Sequence, residues 1–122
     1  MYNKGAPDFY LAPYISLKEY ECKCKSPRCI YTLVNPGVVH SFTLFRKSWG
    51  KPLTITSAYR CQAHNEAVGG LPNSFHTRGQ AIDISSAGYN ILELRDVAEL
   101  FFDTVIVYET KNFIHCHNRM VV

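Results

Sequence analysis

Residues 79–85, GQAIDIS, alternate in character: Ile82 and Ile84 fall on one side of an extended chain, and Ala81, Asp83 and Ser85 on the other. A strand of this kind buries one face and holds an acid on the opposite one. FIHCH, residues 113–117, repeats the pattern, with Phe113, His115 and His117 on one face and Ile114 and Cys116 on the other. Two such strands restrict the chain to a sheet that is packed on one side and carries polar chemistry on the other.

With 122 residues, 47% of them hydrophobic and 19% charged, the chain is expected to form one folded domain over residues 1–122. Residues 1–35, rich in tyrosine, proline and cysteine, read as an irregular arm with one short helix near SLKEY, laid over part of the core. After the start signal Asn35-Pro36-Gly37, Val38, Phe42, Phe45 and Trp49 recur at helical spacing and Gly50 ends the run, which predicts a helix over 37–49. LTITS, 53–57, alternates like a strand. The segment 60–79, RCQAHNEAVGGLPNSFHTRG, carries four glycines and prolines and two asparagines and reads as largely loop. A loop that long in a small domain is usually functional. A second helix is expected over 89–102, with Ile91, Leu94 or Leu92, Val97, Leu100 and Phe101 on its apolar face. Strands 104–108 and 113–117 complete an α+β domain: a small, mainly antiparallel sheet backed by helices, with a cleft on its open face.

The net charge of +3 is scattered without a basic cluster, so nucleic acid is not indicated. No apolar run approaches the roughly 18 residues needed to span a bilayer, and MYNKGAPDFY lacks the apolar stretch of a signal peptide. The expectation is a chain made in the cytoplasm. Of the five cysteines, Cys22, Cys24 and Cys29 cluster in ECKCKSPRC, whose single-residue spacing departs from the usual CxxC zinc knuckle. A local structural zinc, a disulfide or free thiols remain open there, whereas Cys61 and Cys116 read as packing residues.

Two imidazoles two residues apart on one strand face, His115 and His117, are placed to share a metal ion. With His76 and Asp83 they make a nitrogen and oxygen donor set that suits zinc and leaves room for water if three of them bind. The acid in the middle of the strand is then explained: the open face is a metal site.

These residues lie in motifs that resemble a known family. The pattern S-x-Y-R-C, H-N-x-x-V-G-G, S-x-H-x-x-G-x-A-x-D-I and a late histidine, between Thr54 and Cys116, is similar to that of the zinc D-alanyl-D-alanine carboxypeptidases and L-alanyl-D-glutamate endopeptidases. Members cleave peptidoglycan peptides and include many phage lysis enzymes; hedgehog signalling domains and lysostaphin-type endopeptidases share the metal site. The resemblance implies His76, Asp83 and His115 as zinc ligands, with water in the fourth position. It implies Arg60 as the group that holds a substrate carboxylate or carbonyl, which a guanidinium fork suits, although a structural role on loop carbonyls fits as well. Ser57 and Ser74 are candidate pocket residues. Peptidoglycan peptides are the implied partners, with the bacterial cell wall as the place of action and a phage or prophage as the means of delivery.

The sequence departs from the family at the general base. Several members have a carboxylate three residues before the last zinc histidine, where Asn112 stands here. Glu109, six residues before His115, resembles a hedgehog glutamate near the metal and is the candidate base; His117 is the other, as a base or as a hydrogen-bond donor to the transition state. Two further readings stand beside the peptidase: a non-catalytic zinc-containing wall-binding or virion module, and an intracellular dipeptidase with a closed pocket.

Overall fold

The computed structural model describes residues 1–119. Its centre is a four-stranded antiparallel sheet of β5 (Ile55–Ser57), β6 (Ala81–Ser85), β7 (Thr104–Tyr108) and β8 (Phe113–His117), in the order β5-β6-β8-β7. β7 and β8 form a hairpin, and the chain crosses from β6 to β7 through a helix, so β8 inserts between the two. The expected strands 104–108 and 113–117 are found at those bounds, whereas β5 and β6 each begin two residues later than expected.

The longest helix, α2 (Pro36–Trp49), starts where Asn35 accepts a hydrogen bond from the Val38 amide and Pro36 occupies the first turn. It stops at Gly50, whose φ of 75° is left-handed, with Arg46 and Lys47 placed against the negative end of the helix dipole. Its buried residues Val38, Phe42 and Phe45 recur three and four apart. Burying each such side chain contributes about 1.5–3 kcal/mol. The helix between β6 and β7, α4 (Ile91–Ala98), is capped by Asn90, which accepts from both Leu92 and Glu93. It is shorter than the expected 89–102. Leu94 and Ala98 are buried, but Leu100 is 72% exposed because the chain leaves the helix after Ala98 and turns into β7. Phe45 and Phe102 meet edge to face at the join between α2 and the turn after α4.

The first 35 residues are more ordered than an irregular arm. They form two short ladders, β1 (Tyr2–Asn3) with β4 (Tyr31–Thr32) and β2 (Tyr10–Ala12) with β3 (Ile15–Ser16), and the helix α1 (Leu17–Tyr20), closed by a Ser16–Glu19 capping box. The arm does enter the core: Ile15, Leu17 and Tyr20 are wholly buried. No helix of the described residues is long and apolar enough to cross a membrane.

The segment 60–79 is also more regular than its composition predicts. It holds α3 (Gln62–Ala67) and a 3-10 turn over Phe75–Arg78. Cys61 caps α3 through its sulfur, and QAHNEA contains no breaker. The glycines and Pro72 confine the irregular backbone to 68–74.

Candidate metal centre

β6 and β8 pair so that Asp83 lies opposite His115, which sets a carboxylate and an imidazole side by side on the face away from the isoleucines. His76 joins them from the 3-10 turn, where Ser74 caps the turn by accepting from the His76 amide at 3.2 Å. Gly79 then swings the chain into β6. Its φ is +71°, and a Cβ there would stand 2.2 Å from the Leu33 carbonyl oxygen, so both backbone conformation and close approach require glycine.

The donor atoms converge. Asp83 Oδ1 lies 3.1 Å from His76 Nε2 and 3.0 Å from His115 Nδ1, and the three candidate ligand atoms all fall within 4.8 Å of one another. His76 Nδ1 lies 2.6 Å from the Ala58 carbonyl oxygen, which only accepts, so this nitrogen carries the proton and Nε2 of the neutral ring offers a lone pair. That lone pair faces a carboxylate oxygen, an arrangement that a shared cation or an added proton satisfies. His115 Nε2 is 2.7 Å from His117 Nδ1; when the His115 proton sits on Nε2, Nδ1 is free to ligate. Bonds of about 2.0–2.1 Å in a tetrahedral nitrogen and oxygen site imply ligand separations of about 3.3 Å, close to those around Asp83 Oδ1. The residues therefore fit zinc.

His117, which the strand pattern allows to share the ion with His115, is placed behind it. Its ring is buried, stacks on Phe75 at 4.0 Å between centroids and orients His115, while its Nε2 has no partner among the described residues. Burial lowers its pKa to about 4, with the neighbouring His115 adding to the shift. For Asp83, burial raises the carboxyl, but when His115 and His76 are protonated and no metal is bound, their hydrogen bonds and charges outweigh it and bring the group down to about 2.

Arg60 completes the floor. Its Nε donates to Ser57 Oγ at 3.2 Å, Nη1 to Asn65 Oδ1 at 3.0 Å and Nη2 to Asp83 Oδ2 at 3.4 Å. Ser57 thus holds Arg60 and is not among the residues that line the cleft, whereas Ser74 lines it and caps the turn. Asn65, wholly buried, was not singled out in the sequence: it accepts from Arg60 and donates to the Leu71 carbonyl at 2.7 Å, locking the loop to the guanidinium. A Cβ on Gly70 would stand 2.1 Å from Asn65 Oδ1 and 2.9 Å from Arg60 Nη1. Only the spacing R-x4-N, from the arginine of S-x-Y-R-C to the asparagine of H-N-x-x-V-G-G, could have signalled this.

Above the floor lies a cleft of about 550 Å³, within the size range of small-ligand sites. Loop 69–75 forms one boundary, and Ile106 and Tyr108 of β7 supply apolar surface. A smaller cavity of about 340 Å³ between the arm and α2 shares none of these residues. Glu109 follows Tyr108 at the corner of the β7–β8 hairpin, exposed, outside the cleft lining, and its carboxylate has no partner among the described residues. Asn112 closes the same corner in the left-handed region, φ 56°, which asparagine tolerates better than most residues. Its place in the fold thus has a backbone reason independent of proton transfer.

The model of the family described as Peptidase M15 matches residues 13–117. Among curated proteins nothing matches.

Proposed function

Because the chain belongs to the peptidase M15 family, we propose that this metallopeptidase uses zinc to hydrolyse peptide bonds of peptidoglycan stem peptides next to a D-amino acid. The observation that carries the reading is the convergence of His76 Nε2, Asp83 Oδ1 and His115 Nδ1 beneath an open cleft that also presents a guanidinium. Zinc on these three residues, when bound, supplies Lewis acidity that lowers the pKa of a water and polarises the scissile carbonyl.

The protein's own groups divide the remaining work. Arg60 spends three donors on Ser57, Asn65 and Asp83 and, with five N–H groups, keeps others for a substrate carbonyl or carboxylate. Positioning and substrate binding are therefore compatible roles for one side chain. Glu109 accepts the proton of the attacking water and returns it to the leaving amine, turning inward from a corner whose preceding residue, Tyr108, already lines the cleft. His117, with an unpartnered Nε2 on the same sheet face, is the second candidate for handling that proton or for donating a hydrogen bond to the transition state. Action at the bacterial cell wall, with delivery by a phage or prophage, belongs to the same reading.

The test is mass spectrometry of peptidoglycan and its stem peptides after incubation with zinc-loaded protein, beside a chelator-treated control. Chelator-sensitive products would identify the bond. Glu109→Gln is expected to retain zinc and lose about 10²- to 10⁴-fold in kcat; unchanged turnover would remove Glu109 from the mechanism. The exposed, unpartnered Glu109 favours one second reading, a wall-binding or virion module that holds zinc without turnover. Protein shown to contain zinc that yields no product from any wall type would select it.

A further inference from the structure

Cys61 packs against the edge of the core, as its place in the sequence predicts, but its sulfur also approaches cysteines of the arm. Cys61 Sγ lies 3.7 Å from Cys22 Sγ and 3.8 Å from Cys24 Sγ, and with Cys29 these sulfurs form a group whose members all fall within 4.8 Å of one another. We propose that Cys22, Cys24, Cys29 and Cys61 bind a second zinc ion, a structural tetrathiolate centre separate from the histidine–aspartate site.

Geometry and chemistry agree on the ion. Tetrahedral zinc with bonds of about 2.3 Å to sulfur has sulfur–sulfur edges of about 3.8 Å, close to the separations of Cys61 Sγ from Cys22 Sγ and Cys24 Sγ. Cys61 is almost equidistant from two partners, as a shared ion requires; a disulfide would draw one sulfur to about 2.05 Å and leave the other behind. The cysteines are free thiols. Thiolate ligands favour zinc over magnesium, calcium or manganese. Donors already surround the sulfurs: the Cys61 amide reaches Cys22 Sγ at 3.4 Å, the His64 amide reaches Cys61 Sγ at 3.4 Å, and Lys4 Nζ reaches Cys24 Sγ at 3.3 Å. Four thiols release their protons on binding, and the Lys4 ammonium offsets part of the resulting negative charge.

The ion also answers a structural need. The ladder β1–β4 lies wholly within the arm and pairs only two residues on each strand, so it does not itself tie the arm to the segment that follows Arg60. An ion on three arm cysteines and on Cys61 ties the arm to the segment that follows Arg60 directly. It would thereby brace the guanidinium from behind, at a site that shares no ligand with the cleft.

The experiment uses the full chain purified with a non-thiol reductant. Elemental analysis is expected to find about two zinc ions per chain, about one in Cys24→Ser, and about one in His76→Ala, lost from the other site. Cobalt(II) loading of the unaltered protein gives an independent reading, because only sulfur ligation produces intense thiolate-to-cobalt charge-transfer bands, and these should persist in His76→Ala. That measurement stands even if Cys24→Ser fails to fold. Absence of the charge-transfer bands in the cobalt-loaded protein would overturn the proposal, as would zinc content unchanged by Cys24→Ser. None of these outcomes depends on whether the protein cleaves peptidoglycan.

Discussion

Ile82, Ile84, Ile114 and Cys116, on the inward face of β6 and β8, are wholly buried in the apolar core. Asp83 and His117, on the opposite face of the same strands, are only 6% exposed, but directed hydrogen bonds fix them, with Phe75 stacked on the His117 ring. At Asp83 and His117 degree of burial therefore does not distinguish the two faces, although Phe113 and His115 of the open face are only half-buried. Cohesion on the inward face depends on area and volume and hardly on orientation. On the open face the candidate ligand atoms are set by directed partners, with His117 Nε2 the exception among the described residues, so a substitution there changes chemistry before it changes packing.

The comparison fails if the faces cannot be separated by mutation. His115→Ala should give the largest effect: loss of the zinc held at the cleft and about a 10³-fold or greater fall in turnover, the several kcal/mol that a Lewis acid contributes. Its denaturant midpoint, measured on metal-free protein, should move little. Ile114→Ala, one residue away, should do the reverse, costing about 2–5 kcal/mol of stability while the folded fraction keeps its metal and turnover. Equal losses of stability in the two variants would mean that the open face is as much a part of the core as the inward one.

The separation of faces was legible because a strand has a period of two, and AIDIS and FIHCH each display it with few exceptions. The same logic located α2, whose Asn-Pro-Gly start and Gly50 stop leave little freedom. Four features were less legible. Glycine and proline density hid α3, since six residues of adequate helical propensity needed only Cys61 as a cap and Asn65 as a buried anchor. The end of α4 was overestimated because Leu100 and Phe101 extend the apolar pattern past the point where the turn into β7 takes over. Convergence of Cys61 on the arm lies beyond local pattern, because the partners are 37 and 39 residues apart in sequence. Likewise alternation puts His115 and His117 on one face but does not reveal that one orients the other.

A sharper test of directed bonding is Arg60→Lys. The substitution preserves charge, yet a single ammonium cannot serve Ser57, Asn65 and Asp83 in the planar fork that the guanidinium provides. Losing a partner that orients a ligand typically costs about 10- to 100-fold in metal affinity or activity. Zinc affinity, measured by competition with a chelator, should weaken within that range, and KM should rise if the remaining donors hold substrate. A variant with native zinc affinity and KM would show that charge alone, without the fork, is what the open face requires.

The smallest effect expected is one of pH on the metal-free protein, and its sign follows from His117. Its folded pKa of about 4 lies below the ordinary value of 6.5, so between these values the unfolded chain binds a proton that the native ring does not. Stability is then fully present above pH 6.5 and declines as the pH falls through the window towards 4. Asp83 adds a second loss in the same direction at lower pH, from 3.8 towards 2, as its hydrogen-bonded carboxylate becomes protonated. Denaturant titrations at a series of pH values should therefore show an acid slope between 6.5 and 4 that His117→Gln flattens, with the further loss below 4 retained. The inward face holds no group that titrates in this interval, so Ile114→Ala should lower the whole curve without changing its shape. A slope between pH 6.5 and 4 that survives His117→Gln would mean that another group carries it.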